Sequence, residues 1–124
     1  MKLRYLAIVV VFGAVASVVS GCAAESYFTL KDALGNPDMT VVRDAKEDTA
    51  QLCHGLDGCV EAWTTADAEF LRFDTIEGAQ EFAQPLGDDG HHSRFVVIDF
   101  SQSNPTAERK RLMIEVIESI HNSD

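Results

Sequence analysis

Basic charge is scarce in this chain of 124 residues: Lys and Arg number 10 against 20 Asp and Glu, a formal net charge of −10. Two of the ten, Lys2 and Arg4, precede an uncharged stretch. From residue 22 onward the chain therefore carries 8 basic and 20 acidic side chains, a formal −12. A surface of that sign repels phosphate backbones, so no nucleic-acid partner is expected. The short patterns that carry chemistry are also missing. There is no GxSxG, no glycine loop shaped for phosphate, and no HExxH or HxxxH to set two ligands on one helix face. No repeat or low-complexity tract occurs, which leaves one small domain.

Residues 5–24 contain no charge at all, and the first acid is Glu25. A basic start followed by an apolar run reads as an export leader. The run ends in Val19-Ser20-Gly21-Cys22. This resembles the lipobox of bacterial lipoproteins: an aliphatic residue, two small ones, then Cys. The resemblance covers residues 1–22 only. It implies that residues 1–21 are removed as a signal peptide, that the Cys22 thiol carries diacylglycerol, and that the new amino group is open to acylation with a further chain such as palmitate. The implied location is the outer side of a cell membrane, with the membrane itself as a partner through the lipid. Twenty uncharged residues are also long enough to span a bilayer, with Lys2 and Arg4 inside. A spanning helix has no need of the Gly-Cys stop.

With Cys22 assigned to lipid, Cys53 and Cys59 remain as a pair. Outside the cytoplasm a disulfide is their expected state. The loop between them holds Gly55 and Gly58, which let the chain reverse. A bridge closing so short a loop contributes roughly 2 kcal/mol. The five-residue spacing is not the CxxC of thiol oxidoreductases.

Residues 22–38 read as a lipid-anchored tether with one ordered piece, in which Thr29 caps a short helix over 30–34 and Gly35 stops it. The domain is expected over 39–124. Residues 39–43 are β-branched and read as a strand, 46–53 as a helix, and 59–65 and 69–73 as a hairpin. Asp74 with Glu77 forms a capping box for a helix running to Gln84. The apolar run 94–100 reads as a strand buried on both faces. Asn104-Pro105 opens a last helix with an apolar stripe through Leu112, Met113, Val116, Ile117 and Ile120. The order β-α-β-β-α-β plus a helix predicts an α+β domain with the ferredoxin-like split βαβ arrangement, helices on one sheet face.

Candidate chemistry is sparse. Asp88, Asp89, His91 and His92 place two carboxylates and two imidazoles in five residues, a donor set suited to a transition metal if a loop brings them together. His54 and Asp57 would join only if the disulfide loop meets that loop. The competing reading is a solvated turn. Asp99, inside the apolar run, is the one carboxylate expected to be buried. Ser93 beside His92 lacks a third orienting group, so no catalytic residue is assigned. Arg109-Lys110-Arg111 is the single basic cluster and reads as a solvated helix face. Trp63, on one strand face with Glu61, is the expected anchor for a partner on an open sheet face. These observations describe a non-catalytic envelope lipoprotein that binds a protein or small ligand and needs no cofactor, with metal binding through residues 88–92 as the alternative.

Overall fold

The computed structural model describes residues 28–121. The leader, Cys22 and the first part of the tether lie outside the described residues. Helix α1, Leu30–Leu34, begins where Thr29 accepts a hydrogen bond from the Asp32 amide and ends at Gly35. Its Leu30, Ala33 and Leu34 are buried in the domain core. The described part of the stretch read as a tether thus packs on the domain.

A five-stranded sheet follows: β1 (Lys46–Glu47), β2 (Cys59–Thr64), β3 (Glu69–Phe73), β4 (Gly90–Ser93) and β5 (Val96–Asp99). Helices α2 (Thr49–Leu52) and α3 (Ile76–Ala83), a 3-10 segment (Gln84–Asp89) and α4 (Ala107–His121) complete it. The sheet order is β1-β2-β3-β5-β4, and every neighbouring pair is antiparallel.

The mixed α+β class is as expected, but the connectivity is not that of a split βαβ unit. Such a unit needs parallel strands joined by a crossover helix. Here the expected loop before residue 94 is itself a strand, so residues 90–99 form a hairpin, and β5 returns antiparallel beside β3. Residues 39–43 supply no strand. Asp44 takes a left-handed φ of 57°, and Arg43 and Val41 use their carbonyls on Ala66 and Arg109. The edge is taken by Lys46 and Glu47, opposite Thr64 and Trp63. The Asp48 amide then donates to the Ala62 carbonyl. Helix α2 therefore starts at Thr49, three residues later than expected. At α3 the capping side chain is Thr75, not Asp74: its hydroxyl accepts from the Gly78 amide at 2.9 Å.

Strand alternation divides the core in two. Trp63, Phe70, Val96 and Ile98 point to one face, beneath α1, α4 and the 39–45 loop. Ala62, Leu71, Phe73 and Val97 point to the other, packed with Ala79 of α3 and with Leu52 and both bridge cysteines. Both faces are covered, so the expectation of helices on one face alone does not hold. The apolar run is indeed buried on both sides, because β5 lies inside the sheet between β3 and β4. The disulfide Cys53–Cys59 joins the end of α2 to the start of β2, with Cα atoms 5.2 Å apart. Among the described residues no helix is long and apolar enough to cross a membrane.

Candidate functional site

The residues expected to hold a metal are dispersed. Asp88 and Asp89 are exposed at the end of the 3-10 segment, where Asp89 lies 3.6 Å from Lys110. His91 and His92 belong to strand β4, so the pleat sends them to opposite faces. His91 pairs with Ile98 in register and reaches α4, whereas His92 Nε2 donates to the Arg94 carbonyl at 2.7 Å. His54 and Asp57 are exposed in the disulfide loop. Among the described residues no group of three or more His, Cys, Asp or Glu side chains could hold a metal ion.

Trp63 is a correction of a different kind. It is 8% exposed, packs in the core beneath α1, and its indole Nε1 donates to Glu61 at 3.0 Å. The face expected to be open is occupied. Glu61 is the reason: its carboxylate accepts from the Leu30 and Lys31 amides at 2.8 and 2.9 Å and from Arg72 Nε at 3.1 Å. The two amides are unsatisfied donors at the N-terminus of α1, which a carboxylate from another element satisfies.

The basic cluster is likewise consumed. Arg109 binds the buried Asp67 at 2.7 Å and the Val41 carbonyl at 2.6 Å, and Arg43 meets the same carboxylate at 3.1 Å. Burial raises the Asp67 pKa, but its bonds to Arg109 and Arg43 outweigh that and hold the carboxyl below its ordinary value. This clamp ties the 39–45 loop and α4 to the turn before β3. Arg111 pairs with Glu115 four residues on. Asp99, 8% exposed, ends its strand by accepting from the Ser101 amide and hydroxyl at 2.8 and 2.6 Å. Its cross-strand neighbour Glu69 is the carboxyl whose pKa is pushed up, by its own burial and then by Asp99 and Asp48.

One polar cluster went unseen in the sequence. His91 and Ser93, two residues apart on β4, share a face. Glu118 and His121, three apart, share a side of α4. His91 Nε2 lies 3.0 Å from Glu118, and Ser93 Oγ lies 2.7 Å from His121 Nδ1. A carboxylate only accepts. His91 Nε2–H therefore donates to Glu118. The cluster latches the last turn of α4 to the edge strand, and the His121 ring meets Phe28 edge-on at 5.4 Å.

The latch titrates in a definite sense. Burial pushes His121 below its ordinary 6.5, with Glu118 opposing and Arg94 adding to the depression. The His91 bond, against the cost of burial, holds Glu118 below its ordinary 4.5. For both, the folded chain binds fewer protons than the unfolded one, so their contributions weaken as pH falls. The His121 loss sets in below about 6.5 and the Glu118 loss below about 4.5. Urea midpoints at pH 7.5 and 5.5 should drop for the parent and drop less for His121→Gln. Parallel pH profiles would remove His121 from this role.

No family model, curated protein or solved structure matches the chain.

Proposed function

We propose that the protein is an exported lipoprotein, anchored through Cys22, whose small acidic domain is a non-catalytic interaction module on the outer side of a cell membrane. The observation that carries this reading is Val19-Ser20-Gly21-Cys22 placed directly at the end of the uncharged run. The Cys53–Cys59 bridge agrees with an oxidising compartment. The Arg43–Asp67–Arg109 clamp joins the 39–45 loop, the turn before β3 and α4, so the basic cluster is used within the fold.

Cys22 decides the matter. The parent should incorporate an alkyne fatty acid, lose residues 1–21 by intact mass, and fractionate with membranes. Cys22→Ala should lose the label completely. A parent protein with an unmodified Cys22 and its leader attached would overturn the reading.

A further inference from the structure

We propose that α1 is a buckle that fixes how far the lipid-anchored domain stands from its membrane, and so confines its partner to proteins held in that membrane. This rests on the Cys22 reading above.

The leash ends where the chain first packs on the domain. Phe28 meets the His121 ring at 5.4 Å, and Leu30, Ala33 and Leu34 are at most 4% exposed. Helix α1 touches β2, β3 and α4. Phe28 stands six residues from Cys22, and six residues span at most about 22 Å in any conformation. A domain of this size is about 30 Å across. No part of it therefore works farther than about 55 Å from the bilayer surface.

Apolar and polar contacts fasten α1 together. Leu30 and Leu34 enter the core beside Trp63 and Phe70, while the Glu61 carboxylate accepts from the Leu30 and Lys31 amides at 2.8 and 2.9 Å. The next fastening lies well along the chain. Arg109 Nη2 donates to the Val41 carbonyl at 2.6 Å, Val42 is buried, and Arg43 meets Asp67 at 3.1 Å. Between the two, residues 35–38 are exposed. Without the docked helix the leash would run to Val41, nineteen residues from Cys22, or up to about 65 Å. Docking α1 thus shortens it about threefold.

Charge gives this length a consequence. The formal −12 counted from residue 22 is repelled by an anionic leaflet, over a Debye length of about 8 Å at physiological ionic strength. Repulsion moves the domain outward, and the leash stops it. A protein embedded in the same membrane, or anchored to it, lies within the reach of about 55 Å. A partner fixed farther out does not.

The test uses the full lipidated chain in phosphatidylcholine vesicles carrying a lipid with a dansyl headgroup, referenced to vesicles without it. Trp63, the single tryptophan, packs beneath α1 and serves as energy donor without any substitution. A Gly/Ser linker of about twenty residues between Ala24 and Glu25 doubles the root-mean-square leash length, so transfer should fall at least about twofold. The same linker between Gly35 and Asn36 should leave transfer unchanged, because α1 still ends the leash and only an exposed loop grows. Should that second variant fail to fold, the upstream insertion decides alone. Transfer that ignores the upstream linker, or that falls equally with both, would overturn the proposal and leave the anchor standing. Protein lacking acyl mass on Cys22 would remove both.

Discussion

Glu61→Ala should destabilise the domain by roughly 3–5 kcal/mol, the range for removing one partner of a largely buried ion pair. The Glu61 side chain is 12% exposed and Arg72 19%, so little solvent is at hand to take over. Four donors lose their acceptor at once: the Leu30 and Lys31 amides, the Trp63 indole and the Arg72 guanidinium. Two of those belong to α1, which is only five residues long and has no stability of its own. The expected outcome is that α1 detaches before the rest unfolds, so amide exchange at Leu30 to Leu34 accelerates while β5 stays protected. Glu61→Gln keeps one acceptor oxygen and should fall between parent and alanine variant. A Glu61→Ala protein within about 1 kcal/mol of the parent, its α1 amides still protected, would mean that the buried leucines alone hold α1.

What could be read along the chain is what short-range chemistry decides. Thr29 and Gly35 bracket α1 because a cap and a stop act within one turn. β2 and β3 are legible because β-branched and aromatic residues between turn residues mark a strand within a few positions. The capping of α3 was displaced by one residue, since both Asp74 and Thr75 can accept from a helix amide. Long-range pairing accounts for the larger differences. Val41 and Val42 suit a strand, yet Arg109, 68 residues on from Val41, and the Asp67 clamp hold them as a loop. Gly90, His91 and His92 look like a polar turn, yet they pair with Asp99, Ile98 and Val97. Their polarity serves an edge strand whose outward groups meet α4. The latch joins residues 27 or 28 positions apart. Only the i, i+2 pair His91 and Ser93 and the i, i+3 pair Glu118 and His121 hint at it, and neither hint names the other.

Trp63→Ala carries the second large effect, and its sign reverses what an open sheet face would give. An anchor on a solvated face would leave the thermal midpoint nearly unchanged and abolish capture of a partner. A tryptophan 8% exposed, packed among Leu30, Leu34 and Phe70, should instead lose about 3–5 kcal/mol on truncation, from transfer and cavity terms together. In a domain of this size that lowers the midpoint by at least about 12 °C, at about 4 °C or more per kcal/mol. Trp63→Phe separates the two roles of the side chain, because the smaller ring still fills much of the space while the bond to Glu61 is lost. Its cost should be nearer 1–2 kcal/mol. Gly35 supplies an independent probe of the same contact, since a Cβ there would sit 3.5 Å from the indole and 2.7 Å from the Lys31 carbonyl. A Trp63→Ala midpoint within about 2 °C of the parent would place the indole outside the core. Trp63 was misread because its neighbour Glu61 suggested solvent. The carboxylate is polar for another reason: it faces the backbone of α1, and the ring beside it is buried by the same helix.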